Sequence, residues 1–117
     1  MAQDQVFVCG LDAAIAVVGG KWKPLILWAL GVAPRRTAEL RRELPGVSEK
    51  VLVQQLRELE RDGVVDREVY AQVPPKVVYR LTGTGRQLEQ ALGPLGDWGE
   101  QHMERRGLAH ARTPSGG

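Results

Sequence analysis

Three side chains with cationic or amide tips lie on one side of a helical segment in the middle of the chain. Lys50, Gln54 and Arg57 are three or four positions apart, so at about 100° per residue they fall within roughly 60° of one another. On an exposed helix, such tips can contact base edges in the major groove of DNA: glutamine binds adenine through two hydrogen bonds, and lysine or arginine binds guanine or phosphate. The same pattern fits the solvated side of an ordinary amphipathic helix. The elements around the three residues must therefore decide between the two interpretations.

The opposite side of this segment is apolar. Leu52, Leu56 and Leu59 follow the i, i+4, i+7 spacing of a helix face that packs on a core. Ser48 precedes them, and its hydroxyl can accept a hydrogen bond from an N–H group of the first helical turn. The sequence predicts a helix over residues 49–62 that is anchored through its leucines and exposes its polar side.

A shorter helix is predicted just before it. Thr37 can cap a helix over residues 38–44. Pro45 ends this helix, and Gly46 supplies the backbone freedom of a turn. Three or four residues between two short helices are typical of a helix-turn-helix. The N–H groups at the start of the second helix can hold a phosphate, which makes Ser48 a candidate contact.

Two β-rich segments follow. Residues 64–70 and 76–81 are rich in valine and tyrosine, whereas the prolines within residues 71–75 prevent continued sheet pairing. The pattern predicts a hairpin with a protruding tip, which is the wing of a winged helix-turn-helix. Lys76 in the hairpin and Arg36 before the first short helix are suited to contacts with a DNA backbone.

Two helices are predicted before this unit. Residues 11–18 form a short apolar helix that Gly19-Gly20 closes. The next helix has Pro24 in its first turn, is apolar on nearly all sides and is predicted to be the buried centre of the domain. Residues 31–36 are predicted to be a loop.

A last helical region is predicted after Thr82, which can cap it. Its apolar positions follow helical spacing and are Leu88, Leu92, Leu95 and Trp98. Pro94 should kink or divide this region. We expect one winged helix-turn-helix domain over residues 1–107 and a disordered tail over residues 108–117.

Composition fits one ordinary globular domain. Of the 117 residues, 43% are hydrophobic and 26% are charged, and the formal net charge is +2. Such a charge attracts a polyanion only weakly, so DNA binding must depend on where the charges lie. The apolar stretches are too short to span a bilayer, and the N-terminus lacks the order of a signal peptide. We therefore expect a cytoplasmic protein without membrane contact.

The types and spacing of the potential catalytic residues do not support an enzyme activity. His102 and His110 lie in the terminal helix and tail, and no Ser-His-Asp arrangement, Cys-His arrangement or metal-ligand spacing forms locally. Gly83-Thr84-Gly85 lacks the third glycine and the lysine of a nucleotide-binding loop. Cys9 is the only cysteine, which excludes an internal disulfide but leaves open a disulfide between two copies. We expect no enzyme activity, no cofactor and no metal.

Several ordered sequence blocks occur along residues 9–99. They are Cys9 followed by Gly19-Gly20-Lys21-Trp22, Glu39-Leu40-Arg41, Pro45-Gly46-Val47-Ser48-Glu49-Lys50-Val51-Leu52, Leu56-Arg57-Glu58-Leu59-Glu60-Arg61-Asp62-Gly63, Val73-Pro74-Pro75-Lys76-Val77-Val78-Tyr79-Arg80-Leu81-Thr82, and Trp98-Gly99. Together they resemble the HxlR-type regulators, a branch of the MarR-like winged-helix transcription factors. The resemblance implies a mainly α protein with a small β-hairpin wing (α+β) that binds double-stranded DNA at a pseudo-palindromic operator.

The resemblance also implies a homodimer built from the N-terminal and C-terminal helices. The residues expected at its interface are Leu11, Ile15, Leu88, Leu92, Leu95 and Trp98. One small protomer buries limited area on DNA, whereas a two-fold pair doubles the contacts at half-sites about 34 Å apart. The alternative is that the C-terminal apolar stripe completes the core of one protomer.

Three positions depart from the family where DNA would be contacted. Thr37 stands after Arg36 in place of the usual aromatic residue, Val53 in place of a small hydroxyl residue, and Gln55 in place of arginine. We expect Thr37 and Val53 to contact DNA despite this difference. The operator sequence of a relative should therefore not be assumed for this chain.

Two features are candidates for sensing a signal. In the resembling family, a cysteine just before the first helix serves some members as a sensor of oxidants or electrophiles, and a helix N-terminus favours a thiolate. Cys9 occupies this position, although it also fits a small residue that caps or packs. Trp22, Trp28 and Trp98 can line a pocket for a small-molecule effector or can belong to the core.

These observations predict a dimeric DNA-binding transcriptional regulator, a repressor that a small molecule or a redox signal releases. The alternative is a winged-helix module for protein–protein interaction that does not bind DNA. A protein surface covering Lys50, Gln54 and Arg57 would favour that alternative.

Overall fold

The computed structural model describes residues 5–111, and within them five helices and one two-stranded sheet. In chain order the elements are α1 (Gly10–Val18), α2 (Trp22–Val32), α3 (Thr37–Glu43), α4 (Glu49–Arg61), β1 (Val65–Tyr70), β2 (Lys76–Leu81) and α5 (Gly83–Arg106). This order confirms the predicted winged helix-turn-helix, mainly α with a small hairpin. Residues 108–111 form neither helix nor strand, and the rest of the predicted tail, residues 112–117, lies outside the described residues.

The core lies where α2, α3, α4 and the hairpin meet. Its largest fully buried side chains are Ile26, Leu27, Leu40, Leu52, Leu56, Leu59 and Val65. All three leucines of α4 are among them, as their spacing predicts. Because burying one leucine side chain contributes about 1.5–3 kcal/mol, this stripe fixes the rotation of α4 about its own axis. The polar side of α4 must then point away from the core.

Local capping sets where α3 and α4 begin. Ser48 caps α4 as predicted, since its Oγ accepts from the backbone N–H three residues on at 3.1 Å. The prediction that Thr37 caps α3 is wrong by one residue. Arg36 is the N-cap residue, and its backbone N–H donates to the Glu39 carboxylate at 2.7 Å. A carboxylate at the third helical position satisfies the N–H of the cap residue and so holds the start of the helix at Arg36.

The hairpin forms as predicted, with β1 and β2 antiparallel over their full lengths. The predicted loop over residues 31–36 is wrong in part. Helix α2 continues to Val32, and Arg35 pairs with Tyr79 through two backbone hydrogen bonds of 3.0 and 2.8 Å. The outer edge of β2 has unpaired backbone groups that this segment satisfies. The bridge fixes the wing to the segment that leads into α3.

The start of α5 is tied to the end of α4. Thr82 caps α5 as predicted, because its Oγ1 accepts from the N–H of Gly85 at 2.9 Å. The same hydroxyl donates to the carbonyl oxygen of Gly63 at 2.7 Å, and the Thr82 N–H donates to that of Val64 at 3.1 Å. A Cβ atom at Gly85 would lie only 1.8 Å from the Val64 oxygen. This junction explains why Gly85 is glycine, without any nucleotide-binding role.

Helix α5 continues through Pro94 without a break, so the predicted division does not occur. Pro94 and Gln90 are exposed, and water can satisfy the carbonyl that the proline leaves without a donor. The apolar stripe of α5 behaves differently at its two ends. Leu88 and Leu92 pack against the core, whereas Leu95 and Trp98 are 64% and 57% exposed.

The predicted burial of α2 is wrong on one face. Its exposed apolar side chains are Leu25, Trp28 and Val32. Helix α1 packs even less, since Val18 is its one buried residue. Both helices therefore leave apolar surface open to solvent. Within residues 5–111, no single helix is long and apolar enough to cross a bilayer, and only α1 and α2 together, with an 81° bend between them, reach that length and composition.

Candidate nucleic-acid interface

The outer side of α4 forms an open groove. The groove is lined by Glu49, Lys50, Val53, Gln54, Arg57, Glu58 and Arg61. Lys50, Gln54 and Arg57 are exposed and Val53 is half-buried. The structure thus brings together the four residues of this helix that were predicted to contact DNA, and we call these four the recognition surface. A helix that presents such a side to solvent fits the major groove.

The groove is cationic. It contains three cationic side chains and two carboxylates, and one of the carboxylates, Glu58, is paired with Lys23 at 2.6 Å. Unpaired cations on one face attract phosphates even when the net charge of a chain is small. Arg61 was missed from the sequence, although its position four residues after Arg57 places it on the same side of the helix.

An ion pair lies beside the recognition surface. The Lys23 side chain of α2 is 10% exposed, and its Nζ is 2.6 Å from Oε1 of Glu58 in α4. The second carboxylate oxygen accepts from Nε2 of Gln54 at 3.5 Å. The Lys23 ammonium, through its hydrogen bond and its charge, holds the pKa of the Glu58 carboxyl below its usual value. Sequence reasoning missed Lys23, because a lone lysine in an apolar helix carries no periodic signal.

A second groove lies at the N-terminus of α4. It is lined by Ala38, Arg41, Arg42, Gly46, Val47 and Ser48. Ser48 is a predicted contact, whereas Arg41 and Arg42 were not singled out. Both arginines are exposed in the last turn of α3. A helix N-terminus flanked by arginines suits a phosphate oxygen, and two adjacent arginines just before a helix-turn-helix turn were the sequence signal for it.

The remaining predicted DNA-contacting residues flank these grooves. Arg36 is exposed at the N-cap of α3, and Thr37 is the half-buried first residue of that helix. Lys76 begins β2, with its ammonium 5.2 Å from the centre of the Tyr70 ring. This cation–π contact holds the cation on the wing, outside the two grooves.

A second wing cation is engaged within the hairpin. Arg80 Nε lies 2.7 Å from Oε1 of Glu68, and the Tyr70 hydroxyl donates to the other Glu68 oxygen at 2.8 Å. The Glu68 carboxylate raises the pKa of Tyr70 through this hydrogen bond. Arg80 therefore has a partner on the wing, which favours Lys76 over Arg80 for a phosphate contact.

The candidate sensing residues lie apart from these grooves. Cys9 is exposed at the N-cap of α1. Trp22 is half-buried against the core beside Gly46, whereas Trp28 and Trp98 are more than half exposed. None of the three rings lines either groove at α4. Among residues 5–111, no three His, Cys, Asp or Glu side chains come close enough together to hold a metal ion.

The predicted interface residues divide between core and surface. Leu88 and Leu92 pack against the core of the protomer, as the alternative for this stripe held. Leu11, Ile15, Leu95 and Trp98 remain more than half exposed. The Trp98 ring stacks on His102 with ring centres 5.1 Å apart. The exposed part of the predicted interface is thus confined to α1 and the second half of α5.

A winged helix-turn-helix with an exposed cationic recognition helix defines the class of DNA-binding transcriptional regulators. The chain belongs to the HxlR-like helix-turn-helix family, whose sequence model matches residues 17–107. It is 52% identical over 95 residues to the HTH-type transcriptional regulator YtcD of Bacillus subtilis (strain 168). The aligned region covers 81% of this chain and 75% of YtcD. These findings confirm the predicted family and the interpretation of the chain as a DNA-binding regulator.

Solved structures show the same fold. The crystal structure of ytcD superposes with a TM-score of 0.77 at 49% identity and covers 83% of this chain and 99% of that chain. The redox regulator HypR in its reduced form also gives a TM-score of 0.77, at 44% identity. This superposition covers 80% of this chain and 92% of the HypR chain. YtcD is a transcriptional regulator and HypR is a redox regulator.

Proposed function

We propose that this protein is a homodimeric repressor that binds a pseudo-palindromic operator through α4 and is released by a chemical signal. The observation that carries the proposal is the division of α4 into two sides. Leu52, Leu56 and Leu59 are fully buried, while the recognition surface on the opposite side carries two cations and three exposed side chains. The regulator would work in the cytoplasm, with double-stranded DNA as its partner.

The residues have distinct proposed roles. Gln54 contacts a base edge, Lys50 and Arg57 contact guanine or phosphate, and Val53 contacts a thymine methyl group. Phosphates are contacted by a larger set, which consists of Arg36, Thr37, Arg41, Arg42, Ser48, Arg61 and Lys76. Phosphate contacts position the protein, whereas the contacts on the outer side of α4 select the sequence.

Dimerisation is proposed from the apolar surface that the protomer leaves open. Leu11 and Ile15 of α1 and Leu95 and Trp98 of α5 are all more than half exposed. Monomeric proteins rarely expose a large contiguous apolar patch. A second copy that covers these helices would present two α4 helices at half-sites about 34 Å apart.

Removal of the Arg57 side chain tests the DNA contact directly. Selection from a random duplex library with the wild-type protein should enrich a two-fold-symmetric motif. On that motif, Arg57→Ala and Lys50→Ala should each lose about 1–3 kcal/mol of binding free energy if the contact is to a base. Gel-shift titration at fixed salt measures the loss. Arg106→Ala, which removes the same charge from the last turn of α5, should bind like wild type, and unchanged affinity in both α4 variants would exclude them from the contacts.

The signal is proposed to act at Cys9 or at the tryptophan-bearing helices. HypR, which shares this fold, is a redox regulator. A peroxide would oxidise the Cys9 side chain to a sulfenic acid, which condenses with a second thiol to a disulfide and releases water. Because Cys9 is the only cysteine, that thiol belongs to another copy or to a small thiol. Oxidation of Cys9 or binding of an effector near the tryptophans releases DNA if it stabilises the free state of the protein more than the DNA-bound state.

A Cys9→Ser variant separates the two signals. Hydrogen peroxide should weaken DNA binding by the wild-type protein about tenfold or more, within the usual range of allosteric coupling, and dithiothreitol should restore it. Binding by Cys9→Ser should not respond, as measured by fluorescence anisotropy on the selected operator. Equal release of both proteins would exclude the thiol, and small molecules that quench the exposed Trp28 and Trp98 would then be the candidates.

A further inference from the structure

A buried lysine of α2 lies next to the side of α4 that carries the recognition surface. Within residues 5–111, Lys23 is the charged residue that the core encloses, at 8% exposure. Its ammonium lies 2.6 Å from Oε1 of Glu58, whose side chain is 30% exposed. An enclosed ammonium is costly without a partner, so Lys23 holds the Glu58 carboxylate in place. Glu58 thus has a fixed position at the side of α4 rather than free rotation in solvent.

The fixed carboxylate acts on Gln54. Because Lys23 lowers the pKa of Glu58, Glu58 is ionised at neutral pH and can only accept hydrogen bonds. Its second oxygen accepts from Gln54 Nε2 at 3.5 Å. The amide nitrogen of Gln54 therefore turns toward Glu58. The amide oxygen is left for the open groove, together with the second N–H of the same group.

We propose that Lys23 and Glu58 are positioning residues that hold the Gln54 carboxamide with its oxygen toward the DNA and thereby select adenine at the base pair that Gln54 contacts. The inference rests on the proposed function. Adenine presents an exocyclic amine as donor and N7 as acceptor, which match the free oxygen and the free N–H. Guanine and thymine present carbonyl oxygens there, which the Gln54 oxygen repels.

The variant Glu58→Gln reverses the predicted preference. With Lys23 in place, the new amide must turn its oxygen to the ammonium, so its NH2 group faces position 54. Gln54 must then rotate and present its own NH2 group to the groove. A base that presents a carbonyl oxygen in place of the adenine amine, guanine or thymine, is then preferred. This reversal of the base preference is not expected if Glu58 only stabilises the fold.

The experiment measures affinity for all four base pairs at each position of the selected operator. The wild-type protein should bind about tenfold or more tightly when adenine occupies one symmetry-related pair of positions, which is the usual discrimination of a bidentate base contact. Gln54→Ala should lose the preference only there, which identifies the position. Glu58→Gln should switch it to guanine or thymine, and the Gln54→Ala/Glu58→Gln double variant should behave like Gln54→Ala alone.

Two further variants keep the test decisive. Glu60→Gln removes the same charge from an exposed position of α4 and should strengthen binding to all sequences alike. Lys23→Met/Glu58→Met replaces the ion pair by apolar side chains, and this variant should fold even if Glu58→Gln does not. It should leave no adenine preference above about threefold, because nothing then orients Gln54. Wild-type profiles in both Glu58 variants would overturn the inference and leave the proposed function intact. Failure of wild type to enrich any sequence would overturn both.

Discussion

Gly85→Ala should destabilise the protein by about 3 kcal/mol, the upper end of the range for overpacking. An added Cβ would lie 1.8 Å from the carbonyl oxygen of Val64 and 2.8 Å from its carbonyl carbon. Both are backbone atoms and cannot move aside as the end of a side chain can. The start of α5 must therefore separate from the segment between α4 and β1, which breaks the hydrogen bond from Thr82 N–H to Val64.

Urea unfolding followed by circular dichroism measures this loss. Gly83→Ala is the matched control, since no atom lies within 4 Å of its added Cβ, and its stability should stay within about 1 kcal/mol of wild type. Equal unfolding midpoints for the two variants would show that the close approach at Gly85 does not exist. A destabilised Gly85→Ala variant should also bind DNA more weakly, because α4 ends at the same junction.

Leu95→Glu should convert the proposed dimer to a monomer and abolish binding to the selected operator. Leu95 is 64% exposed on α5, beyond the part of the stripe that packs on the core. A glutamate there leaves the fold of the protomer intact but would be an unpaired charge in an apolar interface. Specific regulators bind with dissociation constants of about 10⁻⁸–10⁻¹¹ M, so loss of one of two half-site contacts removes about 5 kcal/mol or more.

Sedimentation velocity at micromolar concentration and gel-shift titration measure the two effects together. Gln90→Glu adds the same charge to an exposed position of the same helix and should remain a dimer that binds the operator. A Leu95→Glu variant that still sediments as a dimer would move the interface away from α5. A wild-type protein that sediments as a stable monomer would contradict dimerisation altogether.

Local rules in the sequence predicted most of the fold. The three leucines of α4, the Ser48 cap and the Thr82 cap each depend on neighbours within a few residues, and each was confirmed. The boundaries of both strands were predicted to within one residue. The predicted cap of α3 was wrong by one residue, because Arg36 takes this position and its N–H donates to the Glu39 carboxylate.

The candidate site could be predicted only where its residues share one helix. Lys50, Val53, Gln54 and Arg57 lie on α4, so their positions relative to one another follow from the helical repeat. Arg41 and Arg42 join Ser48 across a turn, and Lys23 reaches Glu58 from another helix. Contacts between elements depend on packing distances that no local pattern encodes.

The sequence by itself determined the order of the elements and which side of α4 faces outward, because these depend on periodicity and capping over a few residues. It indicated the class of protein through the ordered blocks that resemble a known family. The tertiary structure alone decided that Lys23 is buried against Glu58, that Gly85 must lack a side chain, and that the apolar stripe of α5 is half core and half open surface. These features arise where distant segments come within a few ångströms of each other, or fail to do so. Their physical origin is the packing of helices and the hairpin around one core, which sequence spacing does not specify.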